Sequence, residues 1–178
     1  LWQQKLIKGL AEPELSGKDR TPNCMAPLGR LLGTARVPKP GRDELRFFPE
    51  SKHVVCIRAN QFYRIDVMAE DGSCLLSRSA LQKQIQSIID KPMPNVSTLG
   101  IGVLTTEDRD MWSHHRNMLK SHDSNNRQCL FDIDSALLVV CLDHSVPKSW
   151  NERSEELLHG SSQNLSNRWF DKFQVVSD

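Results

Sequence analysis

The sequence has few aromatic residues, no long hydrophobic run and almost no net charge. Aromatic residues make up 6% of the 178 residues and hydrophobic residues 38%, which is low for a domain that completes its own core. The 23 basic and 22 acidic side chains leave a formal net charge of +1, so we predict no nucleic-acid partner. The longest apolar run, residues 136–142, is far shorter than the ~20 residues of a membrane span. We therefore predict no transmembrane segment in this chain.

Nucleotide and metal motifs are also missing. None of the nine glycines falls into G-x-G-x-x-G or G-x-x-x-x-G-K, and the five cysteines show no C-x-x-C spacing. His114, His115 and His122 lack the i, i+4 spacing with which a helix presents two metal ligands. We therefore predict no disulfide framework, no metal and no bound cofactor. Cys56 and Cys141 lie in apolar runs and are expected to be buried.

Hydrophobic periodicity predicts several strands. Residues 53–58 and 62–67 are rich in β-branched and aromatic side chains and are separated by three residues, which predicts a β-hairpin. A short strand is predicted over residues 99–104. The continuous apolar run 136–142 is typical of a strand buried on both faces, so we place it at the centre of a sheet. A last strand is predicted to begin near Trp169.

Predicted helices alternate with these strands. Residues 1–11 carry apolar side chains at i, i+4 and i+8, and later helices are predicted from a Ser77 cap, over residues 124–133 and from two capping boxes, Thr105-x-x-Asp108 and Ser149-x-x-Glu152. The inward side chains expected of two of these helices are Leu81, Ile85, Ile88 and Ile89, then Met111, Trp112, His115, Met118 and Leu119. Residues 37–49 contain Pro and Gly and are predicted to form an extended loop, and Asp71-Gly72 a turn. The fold class is α/β (α+β), with a mixed β-sheet flanked by helices.

One polar stretch combines charges with large aromatics: Asn167-Arg168-Trp169-Phe170-Asp171-Lys172. We expect Trp169 to pack beside the 136–142 strand, since burial hides its large apolar area. Arg168 and Asp171 must then be hydrogen-bonded, to the backbone or to each other. The alternative is an ordinary loop with solvated charges. His159, before Gly160, is expected to end a helix in a structural role.

This stretch resembles a signature of the choline/carnitine acyltransferase family, in which Leu-Leu-His-Gly and a polar spacer precede Asn-Arg-Trp-Phe-Asp-Lys. Three further matches lie in the same order along the chain: residues 36–40 with Asp43, residues 104–106 with Arg109 and Trp112, and residues 140–143. By this resemblance, residues 24–178 are a partial acyltransferase domain, from the N-terminal half of a coenzyme A-dependent acyltransferase fold. Residues 1–23 are a helix and linker outside it.

The resemblance implies acyl transfer between coenzyme A and the carnitine hydroxyl, with a histidine of a Glu-His-Ser or Glu-His-Ala motif as general base. That motif does not occur in residues 1–178. We therefore assign no catalytic residue, treat Arg168, Trp169 and Asp171 as a supporting motif, and expect the chain to be inactive by itself. Coenzyme A is a co-substrate, and no residue here is assigned to bind it. The implied partners are acyl-coenzyme A, carnitine and the remainder of the acyltransferase domain.

Within the family, residues 36–45 are more similar to the palmitoyl-type members, which favours long-chain substrates. The family resides in mitochondria or peroxisomes, and we recognise no targeting signal in this chain. The alternative function is that of a truncated, non-catalytic relative that acts as a binding or interaction module. Phe173, Val175 and Val176 are expected to leave the last strand partly exposed and prone to self-association.

Overall fold

The computed structural model describes residues 15–24, 26–69, 74–92, 100–161 and 164–177. The strands are β1 (Leu15–Ser16), β2 (Thr21–Pro22), β3 (Thr34–Val37), β4 (Glu44–Phe47), β5 (His53–Arg58), β6 (Gln61–Asp66), β7 (Val139–Leu142) and β8 (Gln174–Ser177). The helices are α1 (Arg78–Ile89), α2 (Arg109–His122), α3 (Ser124–Ser135) and α4 (Trp150–Leu158), with 3₁₀ turns at Ala26–Arg30, Ile101–Thr106 and Leu165–Asn167. The predicted helix over residues 1–11 and the turn at 71–72 lie outside the described residues.

A four-stranded sheet organises the described part of the chain. Its order is β6-β5-β7-β8, in which β5 and β6 are antiparallel while β5, β7 and β8 are parallel. The fold class is therefore α/β with a mixed sheet, as predicted. The predicted β5–β6 hairpin is confirmed, and its turn consists of Ala59 and Asn60, both with positive φ (49° and 63°), as a type I′ turn requires. Gln61 belongs to β6 rather than to the turn.

The predicted central strand is confirmed as β7, which lies between β5 and β8. Val139 and Cys141 point into a core formed with α2 and α3. The strand begins later than predicted, because the Ala136 amide still bonds to Asp132 at the end of α3 and the Leu137 amide bonds to the His53 carbonyl. Cys56 packs in a second core cluster with residues of α1 and β6, so both cysteines expected to be buried are buried.

Two of the predicted helix caps are confirmed. Ser77 accepts a hydrogen bond from the Ala80 amide at the start of α1, and Ser149 accepts one from the Glu152 amide at the start of α4. In α1 the face differs slightly from the prediction, because Ile88 is buried while Ile89 is exposed. The remaining predicted helix, 124–133, is confirmed as α3 and extends to Ser135.

The strand predicted over residues 99–104 is wrong, since residues from Ile101 onward form a 3₁₀ turn. Gly102 packs so closely against the 166–168 backbone that a Cβ atom would lie 2.3 Å from the Arg168 carbonyl oxygen. The Thr105 hydroxyl donates a hydrogen bond of 2.7 Å to the Gly102 carbonyl and so closes the turn. The apolar residues here therefore pack as a turn against a neighbouring segment and not as a member of the sheet.

The start predicted for α2 is wrong, and its predicted inward face is confirmed only for Trp112, which is buried, and Leu119, which packs against the core. Asp108, not Thr105, is its N-cap and accepts hydrogen bonds from the Asp110 and Met111 amides. The buried face carries Trp112, Ser113 and Arg116, whereas Met111 and Met118 are exposed. The helix is turned in this way because Trp112 and Arg116 have buried acidic partners. Hydrophobicity alone gives no indication of those partners.

Two further boundaries differ from the prediction. Residues 37–49 are not simply a loop, because β3 and β4 pair antiparallel from Thr34↔Phe47 to Val37↔Glu44, and Pro38 and Pro40 lie in the connection between them. The last strand begins at Gln174 rather than near Trp169, since residues 168–173 form the turn that precedes it. None of the described helices has the length and apolar character needed to cross a bilayer.

Candidate functional site

Arg168 forms a buried ion pair at the carboxyl end of β7. Its guanidinium donates two hydrogen bonds to Asp143, Nη1 to Oδ1 at 2.9 Å and Nη2 to Oδ2 at 2.6 Å. The same nitrogens donate to the backbone carbonyls of Asn167 and Glu156. Both side chains are almost completely buried. Two-pronged pairing of this kind offsets much of the cost of burying the two charges and fixes their relative orientation.

Asp171 is the centre of a second network. It accepts a hydrogen bond from Trp112 Nε1 at 2.7 Å and one from Arg109 Nη1 at 2.8 Å. Arg109 also donates through Nε to both carboxylate oxygens of Asp43, at 2.9 and 3.1 Å. Arg36 donates to Asp43 as well, and its backbone amide bonds to the Asp171 carbonyl at 2.8 Å. The network therefore joins the β3–β4 hairpin, α2 and the 168–173 turn.

Trp169 lies between the two networks and is 0% exposed. As predicted, it packs beside β7, in the cluster that contains Val139 and Cys141. Its ring makes edge-to-face contacts with Phe62 and Trp112, with centroid distances of 5.6 and 5.9 Å. Contacts of this geometry stabilise by about 0.5–1.5 kcal/mol beyond area burial.

The pKa values of the two carboxylates in the second network are shifted in opposite directions. Burial raises the pKa of Asp171 above its ordinary value, and the hydrogen bonds from Trp112 and Arg109 offset this only in part. Burial also acts to raise the pKa of Asp43, but the hydrogen bonds and charges of Arg109 and Arg36 outweigh it and lower the pKa. The two arginines therefore favour the ionised form of Asp43, whereas burial disfavours the ionised form of Asp171.

Lys172 is a buried cation bound by carbonyl groups. Its Nζ donates to the Thr34 carbonyl at 3.1 Å and to the Asp134 carbonyl at 2.8 Å. Burial lowers its pKa to about 8, against a smaller raising effect of the Asp134 charge. The Asp134 carboxylate itself pairs with Arg116 at 2.5 Å. Lys172 thus ties the turn to β3 and to the end of α3.

Three of the described histidines have contacts that fit structural roles. His53 is buried and bonds through Nε2 to the Asp132 carbonyl at 2.8 Å. His115 pairs with Glu107 at 2.7 Å, and His159, the C-cap of α4, contacts the Gly160 carbonyl at 2.8 Å. Burial also raises the pKa of Cys56 to about 11 and that of Cys141 to about 12, which keeps both thiols protonated and poorly nucleophilic. In the part of the chain that the structure describes, no group of three or more His, Cys, Asp and Glu side chains could hold a metal ion.

The structure thus brings the supporting residues into one region. Arg168 and Asp171 are buried and hydrogen-bonded, and Arg168 bonds to the backbone carbonyls of Asn167 and Glu156, one of the two expected arrangements. The two side chains do not bond to each other, because Arg168 pairs with Asp143 after β7 and Asp171 with side chains of α2. The sequence matches already contain those partners: Asp143, Arg109, Trp112 and Asp43. Sequence reasoning missed Gln174, whose side-chain oxygen accepts the Trp169 amide at 2.9 Å, and the carbonyl contacts of Lys172. No local pattern signals either.

Comparisons with known proteins agree on one family. The family model described as Choline/Carnitine o-acyltransferase matches residues 1–178, including the first 23 residues, where no motif was found. Human mitochondrial carnitine O-palmitoyltransferase 2 is 36% identical over 151 residues, which cover 85% of this chain and 22% of that protein. Drosophila melanogaster choline O-acetyltransferase is 33% identical, covering 90% of this chain and 26% of that protein. Mouse carnitine O-acetyltransferase is 32% identical, covering 88% and 27%. The chain spans about a quarter of the length of the curated relatives it matches.

Proposed function

The chain belongs to the choline/carnitine O-acyltransferase family, and from this premise we propose that it forms the supporting part of a carnitine O-acyltransferase that transfers long-chain acyl groups between coenzyme A and carnitine. The observation that carries the proposal is the convergence of the four family matches. They lie far apart in sequence, yet their charged side chains form two hydrogen-bonded networks, one on Arg168 and one on Asp171, which flank Trp169 in the chain. We also propose a mitochondrial location, because the carnitine O-palmitoyltransferase 2 relatives are named as mitochondrial.

In this proposal the described residues position the reacting groups and do not react themselves. Each charged side chain of the motif is already engaged by a protein partner: Arg168 by Asp143, and Asp171 by Arg109 and Trp112. Group transfer would need a general base within hydrogen-bond reach of the carnitine hydroxyl. The family supplies a histidine for this step, in a motif that residues 1–178 do not contain. The 168–173 turn would set the direction of β8 and, through it, the position of that histidine.

The long-chain assignment is supported by the relatives. Carnitine O-palmitoyltransferase 2 sequences from several vertebrates are 33–36% identical to this chain, against 33% for the Drosophila choline acetyltransferase and 32% for the mouse carnitine acetyltransferase. The test compares both acyl lengths. We expect palmitoyl-coenzyme A to be used in preference to acetyl-coenzyme A.

The test uses an enzyme in which residues 1–178 are joined to a segment that carries the Glu-His-Ser or Glu-His-Ala motif. Carnitine-dependent release of coenzyme A is expected, and it should be faster with palmitoyl-coenzyme A than with acetyl-coenzyme A. Asp171→Asn should lower kcat by roughly a hundredfold with little change in KM, because a shift of ~1 Å near a general base has effects of this size. No transfer by the unmodified enzyme would contradict the proposed reaction. Normal kinetics of a folded Asp171→Asn enzyme would contradict the supporting role alone.

A second candidate is a non-catalytic interaction module, which the exposed apolar side chains of α4 favour. Trp150 and Leu158 lie on the surface, and none of the residues of α4 is buried. The same activity assay separates the candidates, because a module would release no coenzyme A in any context. Binding of acyl-coenzyme A without turnover would also favour it.

A further inference from the structure

Gln174 is the first residue of β8, and its side chain reaches back across the 168–173 turn. Its Oε1 atom accepts a hydrogen bond from the Trp169 amide at 2.9 Å. The Cys141 thiol of β7 donates to the same oxygen at 3.6 Å, a weaker bond because a thiol is a poor donor. One atom of Gln174 therefore connects β8 with the turn and with the neighbouring strand.

The Trp169 amide depends on this acceptor. Trp169 is completely buried, and within the part of the chain that the structure describes no backbone carbonyl accepts its amide. A buried N–H group without an acceptor has lost its hydrogen bonds to water and destabilises the fold. The Gln174 side chain thus provides a hydrogen bond that the local backbone does not provide.

Other hydrogen bonds hold the turn to different elements. The Phe170 amide donates to the Thr105 hydroxyl at 3.2 Å, in the 3₁₀ turn that precedes α2. The Asp171 carbonyl accepts the Arg36 amide of β3 at 2.8 Å. These contacts fix where the turn lies, whereas the contact of Gln174 fixes how the strand leaves it. A change in the direction of β8 at this residue would pull Oε1 away from the amide that it holds.

We propose that Gln174 is a positioning residue for the acyl transfer. Its bond to the Trp169 amide sets the angle between the 168–173 turn and β8, and through β8 it sets the position of the general base. This inference rests on the proposed function, because the direction of β8 affects the reaction only if the strand leads to that base. Gln174 does not itself react, and its effect on the rate is transmitted by the strand.

Two substitutions separate the oxygen acceptor from the bulk of the side chain. Gln174→Met keeps the length of the side chain but has no strong acceptor, whereas Gln174→Glu keeps an oxygen at the same distance from the backbone. Gln174 is half-buried, so solvent can reach a carboxylate at this position. A role of the acceptor predicts a defect in Gln174→Met that Gln174→Glu largely lacks. A role of packing alone predicts no such difference.

The kinetic test uses the enzyme described above, in which residues 1–178 are joined to a segment with the Glu-His-Ser or Glu-His-Ala motif. Gln174→Met should lower kcat roughly tenfold per folded molecule with little change in KM, because a small misplacement of a general base acts on the rate. Gln174→Glu should keep most of kcat. The matched control is Ser77→Ala, which also takes a side-chain acceptor from a backbone amide, at the start of α1, and should leave kcat unchanged.

The kinetic outcomes separate this role from the proposed function. If the joined enzyme transfers acyl groups, a normal kcat in Gln174→Met, or an equally low kcat in both Gln174 variants, would contradict the positioning role alone. No transfer by the unmodified enzyme would contradict the proposed function and, with it, the role that depends on it.

Hydrogen exchange of the 178-residue chain tests the contact without any activity. The Trp169 amide should exchange roughly tenfold faster in Gln174→Met than in the unmodified chain, because it loses its acceptor, and at the unmodified rate in Gln174→Glu. The Phe170 amide, which the Thr105 hydroxyl holds, is the internal reference and should not change. Equal exchange of the Trp169 amide in all three proteins would overturn the proposal, whatever the joined enzyme does.

Discussion

In residues 164–172 polar side chains are buried, whereas in helix α4 apolar side chains are exposed. The first segment is mostly polar, yet seven of its nine residues are buried, among them Arg168, Asp171 and Lys172. Helix α4 lies only a few residues earlier and carries Trp150 and Leu158 on the surface. The difference teaches that partners, rather than hydrophobicity, decide burial here. Charges are buried where α2, β7 and the β3–β4 hairpin supply partners, and apolar side chains stay exposed where none of the described elements covers them.

The largest expected effect sharpens this comparison with two tryptophans. Trp169→Ala should lower the free energy of unfolding by ~3–5 kcal/mol, because it leaves a cavity in the core beside β7. Trp150→Ala, on a side chain that is 84% exposed, should change it by no more than about 0.5 kcal/mol. Urea unfolding followed by far-ultraviolet circular dichroism measures both. Equal midpoints for the two variants would contradict the packing of Trp169.

Removing one partner of the buried ion pair should be nearly as damaging. Asp143→Ala leaves the Arg168 guanidinium buried without its carboxylate, which costs about 3–5 kcal/mol in comparable pairs. The control is Asp66→Ala, which removes a surface partner of Arg64 and should cost about 0–1 kcal/mol. Denaturant midpoints of the two variants check the difference. A small loss of stability in Asp143→Ala would mean that water reaches the Arg168 guanidinium.

The buried Lys172 predicts a pH dependence. Its pKa is lowered to about 8 in the fold from an ordinary value of 10.5, so between these pH values the unfolded chain binds more protons than the folded one. The contribution of Lys172 to the free energy of unfolding therefore rises with pH across this window, by up to about 3 kcal/mol at 1.36 kcal/mol per pKa unit. Lys172→Met should abolish that rise.

The measurement compares unfolding of the two proteins from pH 7 to 10.5. Cys56 and Cys141 have raised pKa values and lower the stability of both proteins as the pH rises, so only the difference reports on Lys172. Lys83→Met, at an exposed position of α1, is the matched control and should leave the pH profile of the unmodified chain unchanged. A difference between wild type and Lys172→Met that does not vary with pH would contradict the buried cation.

The smallest expected effect concerns α4. Ser149→Ala removes the cap that accepts the Glu152 amide and should cost about 1 kcal/mol. The loss should be confined to α4, because this helix buries none of its own residues. Hydrogen exchange of the α4 amides should accelerate while that of β7 stays the same. Equal acceleration in both elements would mean that α4 unfolds only with the core.

The sequence predicts elements whose signals are local. The Ser77 and Ser149 caps and the β5–β6 hairpin depend on neighbouring residues, and each is present in the structure. The 99–104 strand was predicted wrongly and the face of α2 only in part correctly, because each depends on a distant contact. Gly102 meets the 166–168 backbone, and Arg116 meets Asp134. Such contacts leave no periodic trace in a sequence.

The candidate site shows the same limit. The family matches point to Arg168, Trp169 and Asp171 by position, and composition indicates that their charges need partners. The strand order β5-β7-β8 and the rotation of α2 decide which partners they have. The sequence matches therefore contain Asp143 and Arg109, but they do not indicate which of the two pairs with Arg168 and which with Asp171. Gln174 carries no motif signal at all. Its contact with the Trp169 amide is known only from the fold.

The proposed role of residues 1–178 is to position the acyl-transfer site without supplying its general base. The most direct test is release of coenzyme A from palmitoyl-coenzyme A by the purified chain, with and without carnitine, and with an active family enzyme as positive control. We predict no carnitine-dependent release. Carnitine-dependent release that disappears in His159→Ala or in His115→Ala would contradict the account, because it would place the base within the residues described here.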